Sequence, residues 1–376
     1  MTTETREPFL LTPGPLTISL ETKQAMLRDW GSRDAAFIQI NREVRERLVE
    51  LANGGDVFTC VPLQGSGTFA VEAMIATFLP RDGRLLVLIN GAYGHRIAKI
   101  CDYLDRDCVT YETPEDTPPD PAEVDVRLSS DKSITHVAVI HCETTSGILN
   151  PVAEIAAVVA RNGRRLLVDS MSAFGALDID VAALSCDALA ASSNKCIEGA
   201  PGMGFVICRK DALAAAKGNS HSLSLDLEDQ WIAMEKNAQW RFTPPTHVVA
   251  AFHKALAEHE AEGGVRGRGG RYRRNCDILV AGMRELGFKP LLPDALQAPI
   301  IVTFHMPADP GFDFQIFYDR FAAKGYVIYP GKLTVAESFR IGCIGRINET
   351  VMRGALDTIR DTLTEMGVRN GAPAAA

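Results

Sequence analysis

A lysine stands between two apolar runs in the stretch Ser192-Ser193-Asn194-Lys195-Cys196. The runs on either side, Asp187 to Ala191 and Gly204 to Cys208, have the composition of buried strands. Burying an ammonium group is costly unless the group is neutralised or bonded. A desolvated lysine with a lowered pKa is the kind that forms a Schiff base with a carbonyl. The alternative is a lysine at a strand end with its amino group in water, and the pentapeptide alone favours this simpler interpretation.

Polar residues follow other apolar runs in the same way. Gln64 to Thr68 lies directly before the apolar helix Phe69 to Phe78, where free N–H groups and the helix dipole favour an anion. The same hydroxyl residues equally suit a simple N-cap. The strand Leu85 to Ile89 precedes Tyr93, whose ring suits either stacking on a planar ligand or capping a core. Each of these signals is weak when it stands alone.

The alternation of strands and helices predicts an α/β fold. Residues 1–262 are expected to form an N-terminal arm and a large domain, whose mainly parallel sheet is sandwiched by helices. Glycines between 263 and 270 are expected to break the helical pattern, and Arg271 to Leu286 is predicted as the next helix. Residues 263–376 are therefore predicted to form a smaller C-terminal α+β domain. Residues 113–131, acidic and rich in proline, are predicted to be a surface excursion.

The composition excludes several classes of partner. The 376 residues carry a net charge of −8 without a basic block, which argues against nucleic acid. No apolar run reaches membrane-spanning length. The nine cysteines contain no CxxC pair, which indicates a reducing cytoplasm and, with no ligand spacing among the histidines, no metal site. The basic cluster from Arg266 to Arg274 is expected to be a solvated helix start, with anion binding as the alternative.

The polar residues that follow the strands match the needs of pyridoxal phosphate. This cofactor requires an anion site for its phosphate, an aromatic face for its ring, a carboxylate for its pyridine nitrogen and a lysine for its aldehyde. Hydroxyl donors near its phenolate oxygen complete the set. The residues that supply these groups are Gly65 to Thr68, Tyr93, Thr144, Thr145, Asp169, Ser170, Ser172 and Lys195. Together they favour the functional interpretation of Lys195.

The chain also resembles the class V aminotransferases of fold type I, from Leu10 to about Gly367. The matching stretches are Leu11 to Pro15, Asp29 to Asp34, Pro62 to Thr68, Asn90 to Arg96, Ser192 to Glu198, Ser222 to Leu227, Trp240 to His247 and Phe339 to Gly342. Within the family, the runs at 29–34 and 222–227 are closest to the branch with a phosphonate donor. The resemblance implies a homodimer with shared active sites and small-molecule substrates.

The resemblance further implies a role for each site residue. Lys195 and Asp169 are the catalytic pair: Lys195 holds the cofactor and moves the proton, and Asp169 pairs with the pyridine nitrogen. The other implied cofactor contacts are Ser66, Gly67 and Thr68 to the phosphate, Tyr93 to the ring, Thr145 or its neighbour Thr144 to the phenolate oxygen, and Thr243 of the second subunit to the phosphate. Arg340 is implied to bind the acid group of the substrate, and Arg33 is a second candidate for the phosphonate.

The implied activity is transfer of an amino group from 2-aminoethylphosphonate to pyruvate, as in phosphonate catabolism. Alanine–glyoxylate or serine–pyruvate transamination on the same scaffold is the nearest alternative. Cysteine desulfuration is less favoured, although Cys196 adjoins the lysine. A non-catalytic α/β ligand-binding protein is the alternative from another class. An NAD enzyme is weaker still, because no Gly-x-Gly-x-x-Gly follows the first strand.

Overall fold

A computed structural model describes residues 7–329 and 334–374. The strands are β1 (Phe9–Leu10), β2 (Phe58–Gln64), β3 (Arg84–Ile89), β4 (Asp107–Glu112), β5 (Ile134–Ile140), β6 (Cys142–Glu143), β7 (Ile148–Leu149), β8 (Arg165–Asp169), β9 (Ala188–Ser192), β10 (Met203–Arg209), β11 (Ile301–His305), β12 (Tyr326–Val327) and β13 (Ser338–Gly342). The α-helices are α1 (Leu20–Gln24), α2 (Ala35–Leu51), α3 (Gly67–Phe78), α4 (Ala92–Tyr103), α5 (Pro121–Ser130), α6 (Val152–Arg161), α7 (Lys210–Ala215), α8 (Leu227–Asn237), α9 (Thr246–Ala261), α10 (Gly264–Glu285), α11 (Phe314–Ala323) and α12 (Glu349–Met366). Short 3-10 helices cover Ala25–Leu27 and Gly55–Val57.

The large sheet has seven strands in the order β2-β10-β9-β8-β5-β3-β4. Neighbouring strands run parallel except at β10, which is antiparallel to both β2 and β9. Alternate side chains of β3 enter two different apolar cores: Leu86 and Leu88 pack in one, and Leu85 and Val87 in the other. A sheet that is buried on both faces needs helices on both faces. The predicted α/β class with a mainly parallel sheet is confirmed.

Six strands of this sheet end at one edge. The strands β3, β4, β5, β8 and β9 run parallel, and β2 points the same way because β2 and β9 both lie antiparallel to β10. The carboxyl ends of such strands form the crevice in which α/β proteins bind ligands. The residues that the sequence singled out follow these strand ends, so the topology gathers them along one edge.

A second, smaller unit packs around the antiparallel pair β11 and β13. It has its own apolar core, to which α10, α11 and α12 contribute and which includes Phe304, Phe317 and Phe339. The N-terminal arm joins this unit, because β1 pairs with β12 and Leu11 lies in the same core. The sequence instead grouped the arm with residues 1–262. The division into domains at residue 262 stays a prediction.

The glycines between 263 and 270 do not break the helical pattern for as long as the sequence suggested. Helix α10 begins at Gly264, and Gly267 and Gly269 lie inside it. A Cβ at Gly269 would come within 2.2 Å of the Ala176 carbonyl oxygen. Because Gly269 has no side chain, α10 packs closely against the loop after β8 that contains Ala176. This is a tertiary contact that local sequence does not reveal.

The segment 113–131, predicted to be a surface excursion, contains the regular helix α5. Asp120 caps it by accepting a hydrogen bond from the Ala122 N–H at 2.9 Å, and proline occupies its first position. Val124 and Leu128, four residues apart, are buried on one face. None of the helices in the described residues has the length and apolar character needed to cross a bilayer.

The basic cluster from Arg266 to Arg274 is not simply a solvated helix start. Arg268 is 1 % exposed, donates from Nε to Glu262 at 2.8 Å and donates from Nη1 to the Cys196 carbonyl oxygen at 2.5 Å. Arg271 donates to Glu198 at 2.9 Å. Burial opposes ionisation of Glu262, but the two arginines outweigh it and lower its pKa to about 2. Through Cys196 and Glu198, these arginines hold the turn after Lys195 against α10.

Candidate active site

A cleft opens at the carboxyl edge of the large sheet. The side chains and backbone that line it belong to Ser66, Gly67, Thr68, Val71, Tyr93, Arg96, Ile97, Asp169, Met171, Ser192, Asn194 and Lys195. Six of these are residues to which the sequence assigned a cofactor contact. The structure therefore brings most of the predicted cofactor site together in one place.

Lys195 lies half-buried in the turn after β9 and lines the cleft. Its Nζ donates a hydrogen bond to the Pro13 carbonyl oxygen at 2.5 Å. Burial lowers the pKa of Lys195 to about 8, although the nearby charge of Asp169 opposes this change. At this pKa about one tenth of the lysine is a neutral amine at pH 7, several hundred times more than at the ordinary value of 10.5. The neutral amine is the form that acts as a nucleophile or a base.

The N-terminal arm covers Lys195. Gly14 has a positive φ of 128°, and a Cβ at this position would stand 2.9 Å from both Cδ and Nζ of Lys195. Only glycine accommodates both constraints. The Tyr329 hydroxyl donates to the Gly14 carbonyl oxygen and ties the arm to the smaller unit. The arm thus accounts for much of the desolvation of the lysine.

Asp169 ends β8 on the floor of the cleft and is 5 % exposed. Burial raises its pKa to about 6, against the opposing hydrogen bond from the Met171 N–H to Oδ1 at 2.9 Å. A buried carboxylate with so few donors gains from a cationic partner. A protonated pyridine nitrogen is a partner of this kind.

The N-terminus of α3 forms one wall of the cleft. Ser66 occupies the N-cap position, but its side chain makes no capping hydrogen bond. The simple N-cap interpretation is therefore wrong for Ser66, and its hydroxyl is available to a ligand. A Cβ at Gly67 would come within 2.3 Å of the Met171 sulfur, so a larger residue here would displace the Met171 side chain that lines the cleft. These features suit an anion such as phosphate.

Glu143 is a residue of this site that the sequence interpretation passed over. It is fully buried after β5, and its Oε2 accepts hydrogen bonds from the backbone N–H groups of Tyr93 at 3.2 Å and Gly94 at 3.4 Å. Burial raises the pKa of Glu143, and the hydrogen bonds from Thr145, Gly94 and Tyr93 oppose that rise. Glu143 thereby holds the start of α4, and with it the Tyr93 ring, against the sheet edge. The available signal was an acidic residue among the polar residues that follow β5.

Thr144 and Thr145 are both buried, and neither lines the cleft. The Thr145 hydroxyl donates to Glu143 Oε1 at 2.7 Å and accepts from the Ala92 N–H at 2.8 Å. Its proton is thus already engaged, and its contact with a cofactor oxygen stays a prediction. The Ser192 hydroxyl, in contrast, is a buried cleft atom without a hydrogen-bond partner among the described residues. The sequence motifs predicted no cofactor contact for Ser192.

Arg340 lies on β13 of the smaller unit, near Tyr93 and Glu143, but is not among the residues that line the cleft. It is 4 % exposed, and its Nη1 donates to the Thr144 carbonyl oxygen at 2.9 Å. Its Nε has no partner among the described residues. Burial lowers the pKa of Arg340, opposed by nearby Tyr93, Tyr329 and Glu143. A buried guanidinium with an unused donor is suited to an acidic ligand.

Arg33 and Thr243 are not in this cleft. Both are exposed on the surface of the chain. Their two segments adjoin each other, because His247 Nε2 lies 3.2 Å from Asp29 Oδ1. The structure therefore brings the two segments that carry these residues into contact, and neither Arg33 nor Thr243 lines the cleft of Lys195.

The fold and the cleft together define a pyridoxal-phosphate enzyme. The helix N-terminus, the aromatic side chain, the buried carboxylate and the lysine with a lowered pKa are the groups that this cofactor needs. The Ser192 hydroxyl has no partner among the described residues, and the Ser66 hydroxyl makes no capping hydrogen bond, so both are available as donors to a ligand. The residues present therefore fit the predicted cofactor.

Comparison with known proteins agrees. The profile of the class-V aminotransferase family matches residues 19–309. The chain is 57 % identical over 364 residues to a curated 2-aminoethylphosphonate–pyruvate transaminase of Pseudomonas fluorescens strain Pf0-1, covering 97 % of this chain and 99 % of the relative. It is 58 % identical over 369 residues to the like-named protein of Cupriavidus necator, covering 98 % of each. The chain belongs to the class-V aminotransferase family, as predicted, and its cofactor is pyridoxal phosphate.

Solved structures show the same fold. The pyridoxamine–pyruvate aminotransferase of Mesorhizobium loti superposes with a TM-score of 0.88 at 23 % identity, over 98 % of this chain and 96 % of that one. The ureidoglycine–glyoxylate aminotransferase of Bacillus subtilis also gives 0.88, at 22 % identity, over 100 % of this chain and 97 % of that one. The predicted fold type is therefore confirmed.

Replacing Lys195 with Met should stabilise the cofactor-free protein near neutral pH. The pKa of Lys195 is about 8 in the fold against an ordinary 10.5, so the unfolded chain binds more protons between these values. The wild type therefore gains stability as pH rises through this window. The advantage of the variant should be about 2–3 kcal/mol below pH 8 and should disappear as pH approaches 10.5.

Urea unfolding of the cofactor-free proteins at about pH 7 and pH 10 measures this difference. Lys99→Met is the matched control, because Lys99 is exposed on α4 and should show little change at either pH. A Lys195→Met protein that gains nothing over wild type at neutral pH would contradict the burial cost assigned to Lys195.

Proposed function

We propose that this chain transfers the amino group of 2-aminoethylphosphonate to pyruvate, giving phosphonoacetaldehyde and L-alanine. Curated relatives of that name are 55–58 % identical to it over 96–98 % of the chain. The observation in the structure that carries the proposal is Arg340, a buried guanidinium with an unpartnered Nε. Transamination by exchange of two substrates uses one pocket for both, and an arginine fork matches a phosphonate as well as a carboxylate.

The site residues have distinct roles in this proposal. Lys195 Nζ takes the proton from the carbon that bears the amine and later returns one, since its pKa of about 8 suits both directions near neutral pH. Bound pyridoxal phosphate supplies a ring that withdraws electrons from that carbon. Asp169 is the carboxylate for the pyridine nitrogen, and Tyr93 covers the ring. Ser66, Gly67 and Thr68 hold the phosphate. Thr145 is assigned to the phenolate oxygen, for which its hydroxyl proton would have to turn away from Glu143, and the unpartnered Ser192 hydroxyl is an added candidate.

The same proposal includes a homodimer with shared active sites. Thr243, and with it the adjoining segment that carries Arg33, is exposed and separate from the cleft of its own chain. Phe242 and Leu223, which flank this region, are 51 % and 73 % exposed apolar side chains. Such a surface suits a subunit interface.

The nine cysteines are free thiols, which supports a cytoplasmic location.

Desulfuration is disfavoured by the position of Cys196. Its thiol is fully buried and donates to the Ser172 carbonyl oxygen at 3.3 Å. Burial raises the pKa of Cys196 to about 12, so its thiolate, the reactive form, is scarce at neutral pH. A cysteine in this state does not suit nucleophilic attack on sulfur.

Product formation with defined substrate pairs tests the proposed function. The holoenzyme should form alanine from 2-aminoethylphosphonate and pyruvate with a kcat/KM at least about tenfold above that for serine with pyruvate or alanine with glyoxylate. Arg340→Gln should raise KM for both preferred substrates by about tenfold or more, because both lose a charge-assisted hydrogen bond. Arg346→Gln, at an exposed position, is the control. Faster turnover with serine or glyoxylate would assign the chain to the alternative transaminases.

Mixing two inactive variants tests the shared site. Lys195→Ala removes the amine, and Thr243→Asp places a negative charge where the phosphate is expected. If Thr243 serves the partner subunit, refolding the two together should restore activity, up to about a quarter of wild type, because each mixed dimer has one intact site. Absence of any recovery, with mixed dimers present by mass spectrometry, would place Thr243 outside the partner's site.

A further inference from the structure

Arg96 is a cleft residue for which neither the sequence interpretation nor the catalytic scheme has a role. It lies on the first turns of α4, one turn after Tyr93. Its Nη1 lies 3.4 Å from the Thr68 hydroxyl, and its guanidinium carbon lies 4.6 Å from the centre of the Tyr93 ring. The guanidinium therefore spans from the aromatic side chain to the N-terminus of α3.

The charge of Arg96 has no carboxylate partner in the part of the chain that the structure describes. The adjacent His95 turns away and lies 3.2 Å from Glu112. The contacts of Arg96 are a long hydrogen bond to a neutral hydroxyl and the face of a ring. An arginine fork held this weakly keeps most of its donors free for a ligand.

The ligand that this position favours is an anion. The N–H groups of Gly67 and Thr68 are at the first turn of α3, so they have no acceptor within the helix. The helix dipole adds partial positive charge at the same place. Arg96 adds a full positive charge at Thr68, and planar guanidinium donors bind phosphate oxygens two at a time. The helix terminus and the guanidinium are independent features that converge on one small volume.

We propose that Arg96 binds the phosphate of the cofactor, opposite the N-terminus of α3, while its guanidinium stays over the Tyr93 ring. This inference rests on the proposed function only in requiring pyridoxal phosphate. The phosphonate of the substrate has the same chemistry, but the acid-binding Arg340 lies elsewhere, against the Thr144 carbonyl oxygen. The contact between Arg96 and Thr68, a residue of the phosphate cradle, favours the cofactor over the substrate.

The test compares pyridoxal phosphate with pyridoxal, which lacks the phosphate, in titrations of the cofactor-free enzyme followed by protein fluorescence. Arg96→Gln should weaken binding of pyridoxal phosphate by at least about tenfold, the expected loss of one charge-assisted hydrogen bond. Its affinity for pyridoxal should stay within about twofold of wild type, because ring and lysine contacts are kept. The affinity of Arg96→Lys for pyridoxal phosphate should lie between those of wild type and Arg96→Gln, since lysine keeps the charge but lacks the planar pair of donors.

Lys99→Gln is the matched control, because it removes a positive charge from the exposed face of the same helix. It should leave both affinities unchanged. Equal weakening of pyridoxal and pyridoxal phosphate in Arg96→Gln would mean that Arg96 only supports Tyr93, and would overturn the proposal. Unchanged affinity of Arg96→Gln for pyridoxal phosphate would also overturn it. A raised KM for 2-aminoethylphosphonate, measured separately with the holoenzyme, would then assign Arg96 to the substrate phosphonate. These titrations contain neither amine donor nor keto acid, so they do not depend on the substrates proposed above.

Discussion

The desolvation of one amine is the constraint on which this structure depends. Lys195 must be neutral enough to react, yet it stands at the edge of a sheet that opens to a cleft. The arm supplies the missing cover, with the Pro13 carbonyl oxygen 2.5 Å from Nζ and Gly14 packed against the side chain. The arm is itself held by β12 and by the Tyr329 hydroxyl of the smaller unit. The reactivity of the lysine therefore depends on segments at opposite ends of the chain.

Buried polar groups connect the rest of the site to this amine. Glu143 fixes the backbone of Tyr93 and the hydroxyl of Thr145, and the adjacent Thr144 carbonyl oxygen receives Arg340. On the other side, Arg268 binds the Cys196 carbonyl oxygen and so anchors the lysine turn to α10. Buried hydrogen bonds of this kind favour one arrangement of the side chains around the cleft. Within this arrangement Arg340 Nε and the Ser192 hydroxyl have no partner among the described residues and stay available to a ligand.

Local sequence predicted the regular elements and the chemistry that follows the strands. Apolar runs in the sequence placed Lys195, Asp169 and Tyr93 after predicted strands. Because the carboxyl ends of parallel strands lie at one edge of the sheet, the topology then brings these residues together. What the sequence could not provide are contacts between distant segments. The burial of Arg268 against Cys196, the hydrogen bond from the Ala92 N–H to the Thr145 hydroxyl and the approach of Gly269 to Ala176 all depend on partners tens of residues away. Ser66 matched an N-cap pattern locally, and only the structure shows its side chain uncapped.

The central claim is that Lys195 moves the proton that makes 2-aminoethylphosphonate an amino donor. Rapid mixing of holoenzyme with this donor, without keto acid, tests it through the absorption of the bound cofactor and the release of phosphonoacetaldehyde. The account predicts a change in absorption with one equivalent of aldehyde in wild type, slower when the amine-bearing carbon carries deuterium. Lys195→Ala should bind the donor and release no aldehyde. Aldehyde formation by Lys195→Ala at a rate near that of wild type would contradict the account.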